Sequence, residues 1–381
     1  MNLRLSDEQQ FLREAAAGAL SRVKTFEAAR EAIEDRSALP DLWPMATEAG
    51  WLGLMVGEEQ GGAGLGPYDA MLVAQEAGKV LAGVPLLGAL PAAKLLELAG
   101  SDKTEAVATG ELKAVWLPVC PPSSVEPRWT VQPIEGMGRP DAPAATVDGD
   151  TVSFKGTVAW APDAGEADLL VVVGIDANGE PVAATVDADA DGVTIESGWR
   201  YDATRRLATV TLDGATGTKL NLEPIRMARA WYLVQSLIAA ESVGTMETAL
   251  EVCLDYAKQR YTFGRAIGSY QAIKHGIVEI LRRLENSKSL CIYAGFAFTD
   301  KLDEIPYAAS CARSVAGAGL DFTARQQIAV HGGIGATWEH DAPLTFRRAQ
   351  LNRRLVGGHG MCTDRVADEL LNGRGPVVSV G

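Results

Sequence analysis

The chain has 381 residues, with 35 Lys and Arg against 49 Asp and Glu, a net charge of −14, and 47% apolar and 22% charged residues. That composition excludes chain-wide disorder and predicts a globular protein able to bury a core without disulfide or metal staples. Nucleic acid needs a broad basic face, which a net charge of −14 argues against, so an anionic ligand must be held by local positive charge. In chain order, Ser6-Asp7-Glu8-Gln9 has the form of a capping box, and Leu12, Ala16 and Leu20 repeat behind it at helical spacing. A second helix starts around Pro40 and runs through Trp43 and Met45 to Gly50. Further helical runs cover about 68–80 and 92–99, with a glycine-rich loop at Gly57–Gly64 before them.

The pattern changes near residue 112. Lys113 to Leu117 is a short apolar run, and a Pro/Ser-rich stretch follows from Pro118 to Pro127. Asp148-Gly149 and Asn178-Gly179 sit between strand-like runs and signal hairpins. Val193–Ile195 and Ala208–Leu212 read as further strands. From Pro224 onward the spacing predicts helices over 226–259, 271–300, 306–330, 344–355 and 361–372, then a short loose tail. The expected fold class is α+β, with an N-terminal helical domain over 1–111, a middle antiparallel β domain over 112–222 and a C-terminal helical bundle over 223–381.

The five cysteines, Cys120, Cys253, Cys291, Cys311 and Cys362, are far apart and form no Cys-x-x-Cys, so they read as reduced thiols of a cytoplasmic protein. The N-terminus shows no apolar signal core, and no stretch is long and apolar enough to span a membrane. His275, His331, His340 and His359 show no zinc-site spacing, so no metal is expected.

Two clusters gather chemistry. The first, from Arg260 through Phe263, Gly264 and Arg265 to Tyr270, Gln271, Lys274 and His275, brings a guanidinium, an aromatic ring and an amide around a loop between two helices. Such a set can hold a phosphate, stack on a flat ring and bond a polar edge, although caps and salt bridges explain it equally well. The second is His331-Gly332-Gly333-Ile334-Gly335-Ala336-Thr337-Trp338-Glu339-His340-Asp341. Its glycines can end a helix or let backbone approach a phosphate.

Together the two runs resemble the acyl-CoA dehydrogenase family, as do Trp51-Leu52-Gly53-Leu54 with Glu58–Gly64 and the α–β–α order. The resemblance extends to bacterial members that act on steroid side chains. It implies an N-terminal helical domain, a middle β domain, a C-terminal four-helix bundle, and α,β-dehydrogenation of an acyl-CoA thioester with FAD as cofactor. It assigns Arg260 to the FAD pyrophosphate, Phe263 to packing near the adenosine, and Gln271 to polar contacts with the same half. Gly332 and Gly333 would let backbone approach the diphosphate, and Trp160 would back the flavin ring. These groups serve a flavin held mainly by a neighbouring subunit, with electron-transfer flavoprotein as the electron acceptor.

The departures from the pattern are as informative. Val356 stands where the usual catalytic Glu would be, and Val234 stands at the alternative base position on the long helix. Leu117–Pro127 keeps no version of the family's flavin-contacting loop, Pro162 replaces a hydroxyl residue near the flavin, and Ala329 stands where a glutamine is common. Glu241 is the one carboxylate nearby on the long helix; it reads as a relocated base or as a buried structural partner of an arginine. The leading expectation is a non-catalytic, FAD-completing subunit of an α2β2 acyl-CoA dehydrogenase. The alternatives are a self-sufficient homotetramer using Glu241, a flavin monooxygenase or oxidase on the same fold, and a non-enzymatic scaffold subunit. Arg347, Arg348, Arg353 and Arg354 are expected to pair with acidic neighbours, with CoA phosphates as the other reading. His331 and His340 are expected to be hydrogen-bonding structural groups, and Trp338 to pack.

Overall fold

Ser6 caps the first helix as the sequence requires: its hydroxyl accepts the Gln9 N–H and the Gln9 amide oxygen accepts the Ser6 N–H, each at 3.1 Å. The computed structural model describes residues 4–117, 142–198 and 201–375. Its first part is helical, with α1 (Asp7–Leu20), α2 (Thr25–Glu31), α3 (Trp43–Glu48), α4 (Pro67–Lys79), α5 (Leu86–Leu98) and α6 (Thr104–Ala108). Helix α5 starts ahead of the expected position and carries Pro91 inside it. Nearly every side of it is buried, so it lacks the one-sided periodicity that reveals a surface helix. Short α2 and α6 gave no sequence signal of their own.

Seven strands follow: β1 (Ala114–Trp116), β2 (Ala144–Asp148), β3 (Thr151–Pro162), β4 (Leu169–Ile175), β5 (Pro181–Asp187), β6 (Val193–Ser197) and β7 (Leu207–Leu220). The hairpins at Asp148-Gly149 and Asn178-Gly179 join β2 to β3 and β4 to β5. Antiparallel pairing continues from β3 to β7 and from β7 to β5 and β6. The sheet is not wholly antiparallel, which corrects that expectation. β1 lies parallel to β4, and Ala144 of β2 pairs in parallel with Ile175 of β4, closing β2, β3, β7, β5 and β4 into a ring. Parallel pairing needs a long connection, so no turn signal could announce it. The stretch Leu117–Pro127 lies almost wholly outside the described residues, as do Cys120 and the tail over 376–381.

The last part contains α7 (Pro224–Gln259), a small hairpin of β8 (Tyr261–Thr262) and β9 (Arg265–Ala266), α8 (Gln271–Asp300), α9 (Ile305–His331), α10 (Ala342–Asn352) and α11 (Gly358–Leu371). Tyr256 packs on His331, and a Cβ on Gly319 would meet Met246, so α7 and α9 run in parallel. A Cβ on Gly276 would meet Gln326, so α8 returns alongside them. Helix α4 crosses α7 so closely that a Cβ on Gly244 would sit 1.8 Å from the Gln75 carbonyl oxygen, and one on Gly78 would sit 2.0 Å from that of Glu241. One continuous apolar core runs through helices, sheet and bundle. Among the described residues no helix is long and apolar enough to cross a membrane.

Candidate functional site

The helix directions bring the two chemistry-bearing clusters to one end of the bundle. The C-termini of α7 and α9 and the N-terminus of α8 meet there, because Tyr256, His331 and Gln326 all belong to the last turns before that end. Arg260 caps α7 with extended backbone and an exposed side chain, which makes no ion pair with a described carboxylate. The β8–β9 hairpin follows and lifts Phe263 into solvent, 94% exposed. Gln271, the first residue of α8, is also exposed. Gly332 ends α9 at φ 64°, ψ −136°, a conformation essentially restricted to glycine. Gly333 is different: a Cβ there would meet nothing within 4 Å, so packing within this chain does not require a glycine.

The loop after Gly332 is anchored at its base. The His331 ring lies between Tyr256, at 4.3 Å, and His340, at 4.2 Å. His331 Nδ1 bonds the Gln327 carbonyl at 2.7 Å, and His340 Nδ1 accepts the Ala342 N–H at 3.0 Å. Burial, then the neighbouring His331, pushes the His340 imidazole below its usual range. From α2, Arg30 donates to the Trp338 carbonyl and pairs with Asp341. Trp338 is half exposed beneath the Arg347 guanidinium, which lies 4.5 Å from its ring centre.

The two positions where the resemblance would put a base lie away from this end and are apolar. Val234 of α7 is fully buried, and Val356, between α10 and α11, is nearly so. The Val356 carbonyl accepts the Gln235 amide at 2.6 Å. Its backbone sits at φ +47°, a rare conformation for a β-branched residue. A Cβ on Gly357 would meet the Trp231 ring at 2.8 Å and the Met361 sulfur at 3.0 Å, so this segment is packed tightly shut. In the sheet, Trp160 stands on a bulge of β3 at φ +62°, followed by Pro162, which offers neither hydroxyl nor N–H. Ala329 lies in the last turns of α9.

Glu241 lies in neither group. It is buried on α7, pairs with Arg205, and accepts from Arg348 Nη1 at 2.6 Å and from Asn352 Nδ2 at 3.3 Å. Burial alone would raise its pKa, but the two guanidiniums outweigh that and hold it at about 2. Arg348 also bonds Asp202 at 2.8 Å, the Thr204 hydroxyl, and the Leu81 carbonyl at 2.9 Å. Close by is Asp163, at φ +63°, with one carboxylate oxygen left without a partner. Burial pushes its pKa up to about 7, against the pull of Arg205 and of the Gly88 N–H. This network joins the α4–α5 region, the sheet, α7 and α10. The sequence had marked Glu241 and Arg348 but not Asp163, Asp202 or Arg205, whose spacing carries no motif. Of the other marked arginines, Arg353 pairs with Asp321, whereas Arg347 and Arg354 bond the Tyr201 carbonyl and hydroxyl.

Comparison with known proteins agrees with this layout. Residues 6–120 match the acyl-CoA dehydrogenase N-terminal domain and residues 235–371 the C-terminal domain. The chain is 31% identical to the acyl-CoA dehydrogenase IpdE2 of Mycobacterium tuberculosis, over 92% of this chain and 93% of the relative. It is 29% identical to IpdE2 of Mycolicibacterium smegmatis, over 93% and 96%. The solved Tcur3481-Tcur3483 steroid ACAD superposes with a TM-score of 0.84 at 25% identity, covering 96% of this chain and 98% of that one. A chain of the ChsE4-ChsE5 complex from Mycobacterium tuberculosis shares the fold, with a TM-score of 0.82 at 20% identity over 97% and 99%. The chain therefore belongs to the acyl-CoA dehydrogenase family, oxidoreductases that act on CH–CH bonds with FAD as cofactor.

Proposed function

We propose that this chain is one subunit of a heteromeric, α2β2 acyl-CoA dehydrogenase, and that it completes a flavin site whose base comes from a second, dehydrogenase-like subunit. The observation that carries this reading is an asymmetry. Arg260, Phe263, Gln271 and the Gly332-Gly333 turn stand exposed at one end of the bundle, whereas both base positions are buried valines. The exposed set fits the ADP half of FAD: a guanidinium for the diphosphate, a ring beside the adenosine, an amide for polar edges, and open backbone at Gly333. The other half does not fit. Pro162 has neither hydroxyl nor N–H to offer a flavin ring, and neither Val356 nor Val234 has a side chain that can take an α-proton.

When bound, FAD supplies the acceptor for the hydride leaving the β-carbon of the thioester. In this assignment Arg260 neutralises diphosphate charge, Phe263 covers the adenosine, Gln271 bonds the same half, and Trp160 is a remnant of the chain's own flavin platform. Glu241 argues against the self-sufficient reading, because a carboxylate held by two arginines near pKa 2 has little affinity for a proton at neutral pH. The likeness to the Tcur3481-Tcur3483 steroid ACAD supports a bulky, steroid-like acyl group as substrate and a heteromeric assembly. Electron-transfer flavoprotein is the proposed electron acceptor and the cytoplasm the proposed location.

Flavin content tests the reading. The chain purified alone is expected to carry little or no FAD, and the complex with its partner about half a FAD per protomer. Near one FAD per protomer in the chain alone, with turnover of an acyl-CoA, would refute it.

A further inference from the structure

The tip of the β8–β9 hairpin is held in an unfavourable conformation. Phe263 and Gly264 are its two central residues, and both have positive φ, +50° and +78°. That pattern belongs to a type I′ turn, which favours Asn-Gly and disfavours a bulky first residue. The Phe263 ring is 94% exposed, so burial of the ring is not what holds the turn. Such a conformation persists only where its surroundings over-determine it.

Those surroundings centre on Tyr270. Its hydroxyl donates to the Thr262 carbonyl at 3.0 Å, from just beyond the hairpin. The Arg265 guanidinium, on the other strand, lies 4.0 Å from the Tyr270 ring centre. The Ile267 N–H donates to the Arg260 carbonyl at 2.8 Å, and the Ser269 hydroxyl to the Ala266 carbonyl at 2.7 Å. One side chain therefore ties both strands of the hairpin to the start of α8, where Gln271 follows.

We infer that Tyr270, gripped by Arg265, is a positioning residue that holds Phe263 and Arg260 ready for the ADP portion of a FAD bound in the neighbouring subunit. This rests on the half-site reading above. In it, the Arg265 cation lies on a tyrosine ring within the chain, and Arg260 is left to meet the diphosphate. The hairpin is ordered before the ligand arrives, so binding need not order it.

Two measurements test this on Tyr270→Phe, which removes only the hydroxyl, and on Arg265→Met and Arg265→Lys, which remove or keep the cation. Amide hydrogen exchange over residues 260–271 is read on the chain itself. FAD dissociation is read on the assembly formed with a base-bearing dehydrogenase subunit. Tyr270→Phe and Arg265→Met are expected to speed exchange in that segment and to weaken FAD binding about fivefold, the loss expected for one neutral hydrogen bond or one exposed cation–π contact. Turnover per bound flavin should return at saturating FAD, and Arg265→Lys should restore most of the order. Unchanged exchange overturns the inference. So does faster exchange with undiminished FAD binding, when Arg260→Ala and Phe263→Asn in the same assay do release FAD. If Arg260→Ala and Phe263→Asn leave FAD binding intact, the half-site reading itself fails and the inference falls with it.

Discussion

Glu241 shows how an ion pair changes the meaning of a carboxylate. Removing its charge would take from the buried Arg205 the carboxylate it pairs with and leave Arg348 with Asp202, and breaking such a buried pair costs about 3–5 kcal/mol. Glu241→Gln is therefore expected to lower unfolding free energy by that order in a denaturant titration, while turnover per bound flavin in the assembled enzyme stays unchanged. A base would give the reverse, with stability kept and turnover lost. The pH signs of the two buried acids differ. The folded-state pKa of Glu241 is depressed, so its stabilisation is present above about pH 4.5 and is lost as pH falls toward about 2. The folded-state pKa of Asp163 is raised from 3.8 to about 7, so its stabilisation is complete below 3.8 and is lost as pH rises through about 7. Asp163→Asn keeps the shape, suits the positive φ and mimics the protonated form. It should raise the melting temperature, and more at pH 8 than at pH 5; an equal or opposite shift would refute this account of Asp163. The sequence marked Glu241 because a lone acid stood among apolar residues. It could not say which reading held, because Arg205 lies 36 residues away and Arg348 107. Arg260, Phe263 and Gln271, proposed for the ADP half of the flavin, stand out in the sequence because a local motif carries them.

Among the elements, helices with one apolar stripe and strands bounded by Asn-Gly or Asp-Gly turns were readable, since those signals are local. What was not readable came from tertiary contact: the parallel pairing of β1 with β4, and the early start of α5, which is buried nearly all round. The α4–α7 crossing belongs to the same class. Gly78 and Gly244 let two helix backbones nearly touch, and a backbone carbonyl cannot swing aside as a side chain can. Gly244→Ala is expected to destabilise by about 3 kcal/mol or more despite its better helix propensity. Gly360→Ala, in α11 with nothing near its Cβ, should instead be neutral or mildly stabilising. Denaturant midpoints of the two variants moving together would refute the crossing argument.

For the whole molecule, the charge network around Glu241 has a consequence for how the protein comes apart. The network draws side chains from the loops after β3 and before β7, from α7 and from α10, and takes its carbonyl and N–H partners from the α4–α5 region. If any one of these parts left, charged groups would be stranded without partners in the others, at a cost larger than the usual margin of a single contact. The three parts are thus a single thermodynamic unit, even though the sequence divides into helical, strand and helical stretches. A calorimeter scan of the chain should show one endotherm, with van't Hoff and calorimetric enthalpies in agreement, and two resolved peaks would contradict it. Cooperative melting of this kind means that partial fragments are not expected to persist: the chain is present either whole or unfolded.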